Sequence, residues 1–136
     1  MKILYVIPAR QGSKGLPGKN IKLLDGKPLI AHSIISAQQS KYPGKIIVST
    51  DDQKIMDVAK EYGAEIPFVR PLELATDSAT SIDVLFHALS FYKEQGDDFD
   101  LIILLQPTSP LRLPEDIDCA IDLFLKKKCP SSRLGL

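Results

Sequence analysis

The sequence predicts an α/β fold: a doubly wound, mostly parallel sheet with helices on both faces. Two observations carry this. Short apolar runs alternate along the chain with stretches of helical period. The runs are also apolar throughout, without the in-and-out alternation of a strand that is solvated on one face, as befits strands covered on both.

The elements follow in order. Ile3, Leu4, Tyr5, Val6 and Ile7 form a partly β-branched apolar run that reads as the first, fully buried strand. Pro28 is expected to open a helix carrying Leu29, Ile30, Ile34 and Ala37. KIIVST at 45–50 reads as a second strand. Asp51 or Asp52 can cap the next helix, with Ile55, Val58, Ala59 and Tyr62 along it and Gly63 ending it. Residues 66–69 read as a short third strand. Ile82, Leu85, Phe86, Leu89 and Tyr92 mark an amphipathic helix stopped by Gly96. LIILL at 101–105 is another apolar strand, and Pro114 starts a last helix with Ile117, Ala120, Ile121, Phe124 and Leu125 on its inner stripe. A doubly wound sheet would ordinarily continue from there. The sheet is thus expected to be truncated after its fourth or fifth strand, with one domain over 1–128 and a short irregular tail over 129–136.

With 136 residues, 44% of them hydrophobic, the chain is long enough for one domain with a buried core. Its 17 Lys+Arg balance 17 Asp+Glu, which argues against a general binder of nucleic acid or acidic membrane. The charge is unevenly placed, however. Residues 1–30 hold six basic groups (Lys2, Arg10, Lys14, Lys19, Lys22, Lys27) against Asp25 alone, a local net of +5. One compact anionic ligand near the N-terminus fits that better than a polyanion. The two cysteines, Cys119 and Cys129, have no metal-ligand spacing and do not make a disulfide scaffold. The run at 3–7 is too short to span a membrane and lacks a cleavage pattern, so the expected setting is cytoplasmic. A sheet that stops early leaves an unpaired edge, which invites self-association, and a homo-oligomer is expected rather than a monomer.

In open α/β sheets ligands lie beyond the carboxyl ends of the strands. Three segments fall there: 8–20, 70–81 and 106–112. In the first, Gly12, Gly15 and Gly18 let backbone N–H groups approach an anion, and Arg10, Lys14 and Lys19 add charge. The spacing is GxxGxxG with Asn20 after Lys19, which is neither a dinucleotide fingerprint nor a Walker A loop. The bland alternative is a solvated basic loop. Arg70 precedes Pro71 and is held by a stiff turn, either as a ligand contact or as a surface arginine paired with Glu73 or Asp77. Ser81 suits a helix N-cap as well as a ligand contact. Gln106, Thr108 and Ser109, flanked by Pro107 and Pro110, suit hydroxyl recognition on a sugar or form an ordinary proline turn. His32 and His87 read as plain helix residues, Cys119 as a small apolar filler and Cys129 as an exposed thiol. Asp97, Asp98 and Asp100 form an exposed acidic approach to a strand.

IPARQGSKGLPGKNIKLL at 7–24 resembles the signature loop of the N-acylneuraminate (sialic acid) cytidylyltransferases, the CMP-sialic acid synthetases. VSTDD at 48–52, VRP at 69–71, ELATDSATSIDVLFHAL at 73–89 and LLQPTSPLR at 104–112 follow in that family's order. The enzymes that activate the eight-carbon acid KDO look similar but carry an acidic residue where this chain has QPTSP. GLPGKN is more like the neuraminate or legionaminate enzymes than the pseudaminate ones.

The resemblance implies a Rossmann-like nucleotidyltransferase fold and transfer of CMP from CTP to a nine-carbon 2-keto-3-deoxy sugar acid, with release of pyrophosphate and assistance from Mg²⁺. It gives Arg10 and Lys19 the catalytic part, holding the phosphates together with Lys14 and the loop glycines, and has Asn20 orient the nucleotide. It places Arg70, the backbone at Ala79 and Ser81, and the Ser81 hydroxyl against the cytidine, and puts Gln106 on the sugar-acid side. Positioning and neutralisation of oxyanions are what nucleotidyl transfer needs, and these residue types supply them. Family members are much longer. Their second half would carry the later strands, a dimerisation arm, groups for the sugar carboxylate and the paired aspartates that hold Mg²⁺, and metal ligands cannot be named in this sequence. Two further readings stay open: a nucleotide-binding module that binds CTP without turnover, and a sugar nucleotidyltransferase using another base.

Overall fold

The elements run β1 (Ile3–Pro8), β2 (Leu23–Leu24), β3 (Lys27–Pro28), α1 (Leu29–Gln38), β4 (Lys45–Ser49), α2 (Gln53–Glu61), α3 (Ser81–Glu94), β5 (Leu101–Leu104) and α4 (Pro114–Phe124). They are seen in a computed structural model that describes residues 2–9, 23–24, 27–71, 80–105 and 114–125. β1 lies between β4 and β5, and both pairings are parallel. The register sets Leu4 against Lys45 on one side and against Ile102 on the other. β2 and β3 form a separate two-residue antiparallel ribbon.

β1 explains its own composition. Ile3, Tyr5 and Ile7 join one core with Ile30, Ile34 and Ala37 of α1, Ile55 and Ala59 of α2, and Ile117 and Ile121 of α4. Leu4 and Val6 join Ile47 and the α3 residues Val84, Ala88 and Tyr92 in a second core. Successive side chains of a strand point to opposite faces, and both faces here are roofed by helices, so no position of the run tolerates a polar residue. Each large aliphatic side chain so buried contributes roughly 1.5–3 kcal/mol. The doubly wound parallel architecture is therefore as expected, with three strands in the sheet among the described residues. The turn into β4 needs glycine: a Cβ on Gly44 would lie 2.7 Å from the Ile3 carbonyl oxygen and 2.9 Å from Tyr5 Cε2.

Of the two candidate caps of α2, Asp52 is the one used, its carboxylate accepting from the Lys54 N–H at 3.0 Å. Past the helix end Gly63 takes a φ of 95°, in the left-handed region that favours glycine. α3 begins with a capping box between Thr80 and Asp83, each side chain accepting from the other's backbone N–H at 3.1 Å. Ser81 is thus the first helical residue and not the cap, because Asp83 is spaced to reciprocate with Thr80.

Several expectations need correction. Residues 66–69 do not form a third strand: only a parallel bridge between Ile47 and Glu65 is made, and Pro67 has no N–H to extend it. Pro28 lies in β3, and the helix opens one residue later. On α3 the buried stripe is Val84, Ala88 and Tyr92, while Ile82 and Phe86 are 62% and 63% exposed. On α4 Phe124 and Ala120 face outward and Asp122 is buried, tied to Lys41 and Tyr42. Cys119 is disulfide-bonded and not the small apolar filler expected of it. Cys129 lies outside the described residues. Of the acidic approach to β5, Asp97 and Asp100 both hold Lys2, at 2.8 and 2.7 Å.

Candidate functional site

The strand order places a topological switch point beside β1. The chain leaves β1 for β4 on one side and later returns to β5 on the other. At such a point the connections leaving the carboxyl ends of neighbouring strands diverge to opposite faces and open a crevice. Here the connections are those that follow Ala9 and Leu105. Their roots are held close: the Leu105 N–H donates to the Val6 carbonyl at 2.9 Å and the Ala9 N–H to the Ser49 carbonyl at 3.0 Å. Two segments singled out from sequence, the glycine-rich basic loop and the QPTSP stretch, thus begin at one edge of the sheet although about a hundred residues separate them.

The third segment arrives beside them. Arg70 is 4% exposed and so is not a surface arginine, while Glu73 and Asp77, its other expected partners, lie outside the described residues. Its backbone N–H donates to the Thr50 carbonyl at 2.9 Å. Its guanidinium donates from Nε to Ser49 Oγ at 3.1 Å and from Nη2 to the Ser49 carbonyl at 2.7 Å. Ser49 and Thr50 are themselves fully buried. Thr50 Oγ1 accepts from the Asp52 N–H at 3.1 Å, which fixes the turn from β4 into α2. The hold on Arg70 comes from these bonds.

The result is a buried cation at the carboxyl edge of a parallel sheet, an environment suited to anions and carbonyl acceptors. Sequence reasoning missed Ser49. The signal available was a hydroxyl at the last position of an apolar strand, where a buried polar group needs a specific partner. Arg10, Gly12, Lys14, Gly15, Gly18, Lys19, Asn20, Ala79, Gln106, Thr108 and Ser109 lie outside the described residues, and Ser81 is described in its backbone alone. Among the described residues no group of three or more His, Cys, Asp or Glu side chains is placed to hold a metal ion. No described helix is long and apolar enough to cross a membrane.

A family model described as cytidylyltransferase matches residues 4–133. The chain belongs to the cytidylyltransferase family. Among curated members, a CMP-N,N'-diacetyllegionaminic acid synthase of Legionella pneumophila is 51% identical over 90% of this chain and 53% of its own length. An N-acylneuraminate cytidylyltransferase of Escherichia coli is 46% identical, over 90% of this chain and 28% of its own. A pseudaminic acid cytidylyltransferase of Campylobacter jejuni is 39% identical, over 94% of this chain and 55% of its own. The fold is likewise similar to a solved CMP:2-keto-3-deoxy-manno-octonic acid synthetase complexed with CTP. That match has a TM-score of 0.76 and 28% identity, covering 93% of this chain and 48% of the other. The chain thus spans about half the length, or less, of these cytidylyltransferases.

Proposed function

We propose that the protein is a cytidylyltransferase that transfers CMP from CTP to a nine-carbon 2-keto-3-deoxy sugar acid. What supports this is the match to the cytidylyltransferase model over 4–133, in a chain where Ala9, Arg70 and Leu105, from which the three family-like segments lead, lie at the carboxyl ends of one parallel sheet. In the reaction the anomeric hydroxyl oxygen of the acid attacks the α-phosphorus of CTP. The bond from that phosphorus to the bridging oxygen breaks, pyrophosphate leaves with the electron pair, and the hydroxyl proton passes to solvent or a base. Arg10, Lys14, Lys19 and the N–H groups around Gly12, Gly15 and Gly18 hold the phosphates and neutralise the leaving group, as positioning and charge stabilisation require. Asn20 orients the nucleotide, and Arg70 with Ala79 and Ser81 takes the cytidine. Gln106, Thr108 and Ser109 meet the sugar hydroxyls. No step is assigned to Mg²⁺, which remains the metal expected from the resemblance. The setting proposed with this activity is cytoplasmic.

The test is pyrophosphate release with CTP and Mg²⁺ after addition of N,N'-diacetyllegionaminate or N-acetylneuraminate. Release with either acid is expected. CTP binding without release by either would instead support the nucleotide-binding module. Displacement of bound CTP by UTP or GTP as readily as by excess CTP would point to another base.

The same chain is proposed to pair with a second copy of itself along β5. Among the described strands β5 meets β1 alone, and its four apolar residues are only half-buried. The neighbouring α3 exposes Ile82 and Phe86, and a groove of about 340 Å³ runs between Phe86, Leu89, Lys93, Asp98 and Phe99. Lys93 and Asp98 give this surface both signs of charge. Sedimentation equilibrium is expected to find a dimer that Phe86→Glu weakens. A monomer at all concentrations would end the idea.

A further inference from the structure

We infer that Ser49 is a positioning residue for the nucleotide: it touches no substrate and acts by fixing the plane of Arg70. The inference rests on the CTP reading above and adds to it a residue that the resemblance does not assign. Ser49 closes β4, fully buried, and it holds two adjacent guanidinium nitrogens at once, Nε through its hydroxyl and Nη2 through its carbonyl. A guanidinium fixed at two neighbouring nitrogens cannot rotate about its last torsion without breaking a bond, so its remaining N–H groups keep one direction. The same Ser49 carbonyl accepts from the Ala9 N–H, the last described position before the basic loop. One residue therefore ties the root of the proposed phosphate loop to the proposed cytidine contact. Arginine is rich in rotamers, and ordering it before the ligand arrives removes that cost from binding. The hydroxyl is the part of this device that sequence can change, because the carbonyl is common to every residue type.

Calorimetric titration with CMP and with pyrophosphate tests it, on wild type, Ser49→Ala, Ser49→Thr, Arg70→Ala and the Ser49→Ala/Arg70→Ala double variant. Ser49→Ala is expected to weaken CMP about tenfold and leave pyrophosphate unchanged, as Arg70→Ala should. Ser49→Thr keeps the hydroxyl and is expected to hold CMP close to wild type. The double variant is expected to bind CMP no worse than Arg70→Ala alone, since a residue that works only through Arg70 has nothing to do once it is gone. Wild-type CMP affinity in Ser49→Ala, equal losses for both ligands, or additive losses in the double variant would each overturn the inference while leaving the CTP reading intact. Should Ser49→Ala not fold, a Ser49→Thr variant that folds yet loses CMP overturns it as well. Failure of the wild-type chain to bind CMP or CTP would overturn the CTP reading itself, and this inference with it.

Discussion

The Tyr5 hydroxyl donates to the Tyr42 carbonyl at 2.6 Å and so fastens the central strand to the turn that leads into its neighbour. The turn is held from the other side by α4, where Asp118 Oδ1 accepts from Ser40 Oγ at 2.6 Å and from the Lys41 N–H at 2.9 Å. Lys41 Nζ reaches Asp122 Oδ2 at 2.9 Å. Strand, turn and last helix form one hydrogen-bonded unit. Tyr5→Phe keeps the ring in the core and deletes only the hydroxyl. It is expected to cost about 1–3 kcal/mol, because it strands a partly buried carbonyl. Urea denaturation with an unchanged m-value checks this, and a loss well under that range would show that water replaces the hydroxyl.

The capping box of α3 gives a second stability prediction. Thr80 and Asp83 satisfy each other's N–H groups at 3.1 Å. Thr80→Ala is expected to destabilise the fold by about 0.5–2 kcal/mol. Ser81→Ala should change stability much less, since Ser81 lies one residue past the cap. Thermal melts of the two variants side by side decide between them; equal shifts would show that the cap lies elsewhere.

Two tyrosines predict the behaviour at high pH. Burial, with the Glu65 and Asp97 charges adding to it, pushes the Tyr92 phenol up to about 12. Burial also raises Tyr5, against its bond to Ser40 and with the Asp118 charge acting in the same direction as burial. Both groups keep their proton longer folded than unfolded. Stability is therefore unaffected below the ordinary tyrosine value near 10 and is lost as pH rises from there towards 12. Denaturation midpoints measured between pH 8 and 11.5 are expected to fall beyond pH 10, and less steeply in Tyr92→Phe. An identical decline in that variant would assign the loss to other groups.

The basic loop predicts nucleotide affinity. Lys19→Ala and Arg10→Ala are each expected to weaken CTP by about 1–3 kcal/mol, the loss of one charge-assisted contact. Calorimetric titration reads it directly. Wild-type affinity in both variants would move the phosphate site away from this loop.

The sheet and its order of elements were legible because β1 is covered on both faces, which leaves a short, continuously apolar, partly β-branched run at 3–7. The helix stripes were less legible. A 3.6-residue period locates a face but not its partner, and Phe86 and Phe124 both point out. Residues 66–69 looked like a strand by composition, and the missing N–H of Pro67 decided otherwise. At the candidate site the charged and glycine-rich segments announced themselves by residue type. Ser49 did not, because a serine gains its meaning from the arginine 21 positions later that folding brings to it.

The central position of β1 also has a consequence for how the chain is made. Leu4 pairs with Lys45 and with Ile102, partners that leave the ribosome at quite different times. At roughly 5–20 residues per second, the strand waits several seconds between its first neighbour and its second. For that interval a strand that is buried from Ile3 to Ile7 in the folded protein has one open side. Nascent chains stalled between the two partners should therefore recruit hydrophobic-binding chaperones, and chains released beyond β5 should not.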